Sequence, residues 1–559
     1  MRKNLIAIFS ATALILLSSC SGKLGNLTAS CFDVTPKPME TVGNDVPVTI
    51  SGKFPEKFMK RNAVVTVIPE LRYGNGQAVQ AQGATFQGEK VRGNDQTVSY
   101  RLGGRYTMKT TFTYQPEMLK SDLYMTFNAR VGNKHVTIPA VKVDYGIIAT
   151  SQLYKQTIEH DGGIIAPDTF QRIQTQRQDA NVKFLINQAT LRQSELQNNS
   201  VQEFVRLLKR INADRGQSLN VKNVEIAAYA SPEGGVEYNE KLANKRQDVS
   251  ENYVKQQLKQ NKLDTYVDAH YTAQDWDGFK QLVQASNIQD KDVILRVLSM
   301  YKDPEEREQQ IRNMSEGFRE LADGILPELR RSRLSINYEV VGRTDEEIQQ
   351  QYAADPAKLS IEELLYAAKL ETDATKKEQI YRTTAKLHDK DYRALCNLGV
   401  LALNQGNEVV AKDYFTQALR VNNKAPEVYA NYALMALKDG DMGEAENNLG
   451  KAIGGSGYNQ VAGILNIAKG NYAQAEDDMK GLKTNSAALA QLLNKNYEGA
   501  LETLDNVPAA SYITTYLHAL VAARRGNKFA ANSYLQEALQ QNPSLKTYTD
   551  NDLELQILK

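Results

Sequence analysis

The sequence predicts a multidomain chain with three folded parts: an N-terminal all-β, sandwich-like region, a central α/β region with a helical insertion, and an all-α C-terminal array. Three observations predict it. Apolar residues alternate with period two over 32–149, strand and helix periodicities take turns over 181–342, and 343–559 is helical and self-similar. With 559 residues, 42% of them hydrophobic, the chain can bury several cores. Its 67 basic and 66 acidic residues leave a net charge of +1 and form no basic block, which argues against a nucleic-acid partner.

Residues 1–19 read as a secretory leader: Arg2 and Lys3 carry charge, residues 5–17 are apolar but too short to span a bilayer, and small residues precede Cys20. The run Leu17-Ser18-Ser19-Cys20 resembles the lipobox of bacterial lipoproteins. That resemblance implies acylation of Cys20 and permanent anchoring, with residues 20–31 as the tether. Ser21-Gly22-Lys23-Leu24-Gly25 lacks the acidic cluster that resembles surface-export signals, so an outer-membrane lipid anchor facing the periplasm is expected. Of the other cysteines, Cys31 lies in the tether and Cys396 in a helical apolar pattern, so no disulfide is expected. The five dispersed histidines suggest no metal site and no cofactor.

Over 32–149 the pairs Val48/Ile50 and Val65/Val67 and the run Tyr106/Met108/Thr110/Phe112 mark short strands. Gly74-Asn75-Gly76, Gly93-Asn94-Asp95, Gly103-Gly104 and Gly132-Asn133 separate them, predicting an antiparallel β-sandwich. Residues 150–180 are polar and Gln-rich with a Gly162-Gly163 break, and read as a linker with a short helix.

Val182, Phe184 and Ile186 predict a strand, Val201, Phe204, Val205, Leu208 and Ile211 a helix, and Val224, Ile226, Ala228 and Ala230 a second strand. Leu242, Val249 and Tyr253 predict a second helix, residues 334–340 a closing strand, and the stretch around Trp276 added helices. The second strand runs into Ser231-Pro232-Glu233-Gly234, with Asn239, Leu242 and Arg246 following. Gly234, Asn239, Leu242 and Arg246, the last seven residues after Asn239, resemble the motif of the OmpA-like domain over 181–342. The resemblance implies binding of the peptidoglycan stem peptide. In that family an Asp and an Arg grip diaminopimelate, the carboxylate answering its ammonium and the guanidinium its carboxylate. Here the Asp position is Ser231, with Glu233 two residues on as a substitute if Pro232 turns it inward. Two outcomes stay open: a working site built on Arg246, Asn239, Ser231 and Glu233, or a loop that keeps the fold without the ligand.

In the C-terminal part, Leu398-Gly399, Ala411, Phe415 and Ala418 recur after 34 residues as Ala433, Ala445, Leu449 and Ala452, and again as Ala519, Ala531, Leu535 and Ala538. Turns recur at Gly406-Asn407, Gly440-Asp441, Gly470-Asn471, Lys495-Asn496 and Gly526-Asn527. The pattern resembles tetratricopeptide repeats, with shortened middle copies, and implies a protein partner on the repeat surface. No nucleophile, phosphate or zinc-protease motif is present, so the expected function is a non-enzymatic periplasmic scaffold between envelope and peptidoglycan. The alternative is an accessory factor of a fimbrial or secretion complex with a degenerate wall-binding domain.

Overall fold

The computed structural model describes residues 24–556 apart from 215, 289 and 314–319. It divides into two compact units, one made of residues up to 167 together with those from 371 onward, the other of 168–370.

The first unit begins with strands β1 (Phe32–Thr35), β2 (Met39–Glu40), β3 (Asp45–Phe54), β4 (Ala63–Tyr73), β5 (Gln77–Gln80), β6 (Ala84–Gly88), β7 (Gln96–Val98), β8 (Gly104–Thr113), β9 (Ser121–Val131), β10 (Lys134–Val136), β11 (Val141–Tyr145) and β12 (Ile147–Ile148). β1, β3 and β8 form one sheet, and β10-β9-β4-β6-β7 form a second to which β5 and β11 add. Alternation does what period two requires: Val48, Ile50 and Phe112 from one sheet and Val65, Val67 and Met125 from the other share a single core. Pairing is not wholly antiparallel, as the sequence had suggested. β6 and β7 run parallel, as do β12 and β2. The turns at Gly74, Gly76, Gly103 and Gly132 all use positive φ, which glycine adopts without strain. Helix α1 (Tyr154–Asp161) follows.

The second unit holds a four-stranded sheet of order β13-β16-β14-β15, made from β13 (Ile173–Lys183), β14 (Leu219–Tyr229), β15 (Tyr266–Thr272) and β16 (Arg331–Val341). Only β14 and β15 are parallel. Helices α2 (Asn199–Asp214) and α3 (Val236–Gln260) contribute Phe204, Leu208, Val254 and Leu258 to a core shared with Val182, Ile226, Leu334 and Ile336. α4 (Trp276–Ala285) and α5 (Lys291–Met300) form the inserted helical subcore around Phe279, Ile294 and Leu298, completed by Leu321, Ile325 and Leu329, and α6 (Pro304–Arg312) follows α5. β13 starts earlier than the strand predicted around Val182, and β15 stands where only helices were expected. Both are edge strands, and most β13 side chains and alternate β15 side chains lie in solvent, so neither shows a clean apolar alternation. α7 (Asp345–Ala354) and α8 (Ile361–Leu370) complete this unit.

The first unit resumes with α9 (Ala374–Leu387), which packs on the first of five consecutive helical hairpins among the described residues. These are α10/α11 (Arg393–Asn404, Glu408–Val421), α12/α13 (Pro426–Asp439, Met442–Lys451), α14/α15 (Tyr458–Ala468, Tyr472–Asp478), α16/α17 (Asn485–Leu493, Tyr497–Leu504) and α18/α19 (Tyr512–Arg524, Lys528–Gln541). The recurring small residues are buried at the helix crossings, and a Cβ on Gly399 would lie 2.5 Å from the Phe415 ring. Each hairpin turn has one design. Gly406, Gly440, Gly470 and Gly526 take left-handed backbone, and the next residue opens the second helix. Asn407, Asp441, Asn496 and Asn527 accept a backbone N–H there as N-caps. Lys495 occupies the glycine position of the fourth turn at φ 67°.

A polar network ties the last hairpin to the β region. Arg524 pairs with Glu554 and, at 2.8 Å, with Glu40; Thr150 donates to Glu554, and Tyr516 to Asp552. Burial, reinforced by the charge of Glu554, pushes the Asp552 carboxyl up to about 6.

Two predictions follow from these local geometries. Lys495→Gly relieves the left-handed strain, partly offset by greater unfolded-chain entropy, and should raise unfolding free energy by about 0.5–1 kcal/mol in urea titration. Because folding raises the Asp552 pKa, its contribution is fully present below about pH 4 and is lost as pH rises through about 6, roughly 3 kcal/mol in all. Asp552→Asn should flatten that part of the stability–pH curve.

Candidate functional site

Two places bring together side chains that could hold a ligand. The first is the loop between β14 and α3. Asn239, one turn into α3, donates to the carbonyls of Ser231 (3.0 Å) and Gly234 (2.7 Å), and Gln274 donates to Gly234 at 2.8 Å. The loop is thereby fixed against its own helix, and Asn239 is buried in doing so.

Arg246 lies two turns further along α3 and is 0% exposed. It donates from Nε to the Gln188 carbonyl (3.0 Å), from Nη1 to Tyr229 (2.9 Å) and from Nη2 to Leu185 (3.3 Å), with its guanidinium 5.0 Å from the Phe184 ring centre. Three of five N–H groups are thus committed to backbone. Desolvation, with Arg330 nearby, lowers its pKa to about 10, so it remains a cation at neutral pH.

Glu233 does turn inward, but it meets a cation of the fold: Arg330 grips both its oxygens at 2.8 and 2.9 Å, and Ser231 donates to it at 2.8 Å. Arg246 has no carboxylate within ion-pair range among the described residues. Ser231, Glu233, Asn239, Arg246, Arg312 and Arg330 line a cavity of about 440 Å³. All four residues singled out from the sequence therefore meet at one cavity. Both cations line it, Arg246 fully buried and the Arg330 side chain 12% exposed. Sequence reasoning missed Arg330, which is 97 residues from Glu233. The signal was the Arg330-Arg331 pair opening the last strand, whose second member pairs with buried Asp275 at 3.2 Å. The arrangement suits an anion more than a zwitterion, since the inward carboxylate is already neutralised.

The second place is the face made by the first helices of the hairpins. α1 lies across α12, α14, α16 and α18, and residues 162–166 run on from it outside any helix or strand. Asn431 donates to the Ile164 carbonyl and accepts its N–H, both at 2.8 Å. Asn397, one 34-residue period earlier, does the same for Ala166 at 3.0 and 2.8 Å. Asn404 accepts from Gly163 at 2.9 Å, and Ser456 donates to Ile165 at 2.9 Å. Asp161 accepts from the N–H groups of Asn485 (2.7 Å) and Ser486 (2.8 Å) at the start of α16. Cys396 is buried beside this segment, and burial pushes its thiol pKa up.

Cys20 and the leader lie outside the described residues. Among the described residues no helix is long and apolar enough to cross a membrane, and no cluster of three or more His, Cys, Asp or Glu could hold a metal ion.

No protein-family model and no curated protein matches the chain. Solved structures similar to parts of it include a tetratricopeptide repeat protein from Parabacteroides merdae, at 13% identity over 44% of this chain and 99% of that one, TM-score 0.27. PilF of Pseudomonas aeruginosa aligns at 16% identity over 38% and 97%, TM-score 0.25. PilW, described as a widely conserved type IV pilus biogenesis factor, aligns at 16% over 38% and 96%, TM-score 0.24.

Arg246→Ala would remove a fully buried guanidinium together with its bonds to the Gln188, Tyr229 and Leu185 carbonyls, and should cost at least about 3 kcal/mol. Thermal or urea denaturation of the variant checks this, and loss of ligand binding by Arg246→Ala is interpretable only beside that measurement.

Proposed function

We propose that this chain is a non-enzymatic envelope scaffold, lipid-anchored through Cys20 in the outer membrane and facing the periplasm. In this reading the α/β unit engages carboxylates of the peptidoglycan stem peptide, and the repeat-bearing unit serves protein partners. The observation that carries it is the cavity at the 231–234 loop, where Arg246 and Arg330 face a single inward carboxylate, Glu233. An entering carboxylate would compete with Glu233 for Arg330 and draw on the field of Arg246, which forms no ion pair among the described residues. The OmpA-like motif supports the assignment of the cavity to the cell wall.

A specific observation favours a second reading, an assembly factor of an envelope complex whose wall-binding site is closed. Glu233 is already held in a bidentate pair, and Arg246 spends three donors on backbone. In-cell crosslinking to a defined membrane complex, without cell-wall binding, would select it.

Co-sedimentation of the leaderless chain with purified peptidoglycan tests the first reading. Arg330→Ala should weaken retention about 10–100-fold, the worth of one charged hydrogen-bonded contact, and Glu233→Gln should strengthen it by freeing Arg330. Retention indifferent to both substitutions would reject the cavity as the site.

A further inference from the structure

The face lined by the first helices of the hairpins is not empty, and the manner of its filling points to a purpose. A segment buried as ordinary core would be held by its side chains. Residues 163–166 are held largely by their backbone. Asn431 and Asn397 each close a two-way amide fork on one residue, donating to its carbonyl and accepting its N–H. This is how one β-strand holds another, performed by side chains projecting from helices. The forks stand on equivalent positions of adjacent hairpins, so repetition of the array matches two residues of extended chain to one repeat.

The gripped residues are Gly163, Ile164, Ile165 and Ala166, uncharged and small or aliphatic. Gly163 is required by close approach: a Cβ there would lie 2.8 Å from Asn431 Oδ1 and 3.0 Å from a Val400 methyl. Ile164 is buried in the same core as the later hairpins, and its side chain fills the space over Gly457, where a Cβ would lie 2.6 Å away. At the upstream end the Asp161 carboxyl accepts from the backbone N–H groups that open α16, bonds that offset part of the burial that raises its pKa. An anchoring carboxyl, a glycine, two backbone forks and one apolar pocket together constitute a recognition site for extended peptide.

We propose that this groove is a peptide-binding site whose ligand is carried in cis, residues 161–166 of the same chain, so that the site is occupied in the folded protein. The ligand class it reads is an extended, uncharged Gly-Gly-Ile-Ile-Ala-type strand preceded by a carboxylate. Protein partners of this chain therefore dock on surfaces other than the groove. The inference stands whether or not the α/β cavity binds the cell wall, and its test does not involve the cell wall.

The test uses the whole leaderless chain and a fluorescent synthetic peptide copying residues 159–168. The native protein should not bind the peptide, because the groove is filled. The double variant Gly163→Ala, Ile164→Ser should loosen the internal segment and bind the peptide, and adding Asn397→Ala and Asn431→Ala should reduce that binding at least tenfold. Equal binding by native protein and loosened variant would show the groove to be open and overturn the proposal. So would a loosened variant of native helicity that binds none. Should the loosened variant fail to fold, hydrogen exchange on the single variant Asn431→Ala decides. Faster exchange confined to the amides of residues 163–166 supports a held ligand, whereas equal loss of protection throughout the hairpins makes the segment ordinary core and overturns it.

Discussion

An extended backbone lying among helices has no neighbouring strand to take its N–H and C=O groups, and burying them unpaired would cost more than the side chains there could repay. The amide forks of Asn397 and Asn431 remove that obstacle, and the composition of the first unit depends on it. They let the chain pass from the β region through the hairpin array before leaving at Pro167. Leu153, Tyr154, Ile158 and Ile164 consequently share one core with Leu517, Leu520 and Leu535. The β region is joined to the same array by Glu40, Thr150, Arg524 and Glu554, and Tyr472 reaches the backbone N–H of Gly43 at 3.0 Å. Two stretches separated by two hundred residues of intervening chain thus form one compact unit.

The α/β unit obeys a parallel constraint. A buried guanidinium is tolerable when donors are matched, and Arg246 matches three of its five with carbonyls from the segment after β13 and the end of β14. Its first duty is to position the backbone around the cavity. Charge chemistry in the cavity falls to Arg330 and Glu233, whose mutual pairing sets how much field is left over for an anion.

The parts legible in the sequence were those where one periodicity ruled. The hairpins were readable because close helix crossings demand small residues at fixed spacing, and because each turn places an Asn or Asp directly after a left-handed residue, four of the five capping the next helix. The central strands of the β region were readable because one face is buried. The edge strands β13 and β15 were not, since solvent accepts polar residues on both faces there. α3 was placed correctly but its inner face was misjudged: Asn239, Arg246 and Ser250 are buried while Leu242 and Val249 are only half covered. Nothing local distinguishes Asn397 or Asn431 from other helical asparagines, and the polar, glycine-broken segment they hold reads as an ordinary linker. The Glu233–Arg330 pair joins residues that only the finished sheet brings together.

The threaded segment also has a bearing on the order of events during synthesis. Asp161 is joined to the chain 324 residues before the asparagine that receives it. A ribosome must therefore deliver the whole intervening unit, and several hairpins, before the strand finds its receptor. Until then Ile164, Ile165 and their unpaired amides are open to any chaperone or stray strand that meets them. The first unit is thus obliged to finish maturing last, although its opening residues are among the earliest made.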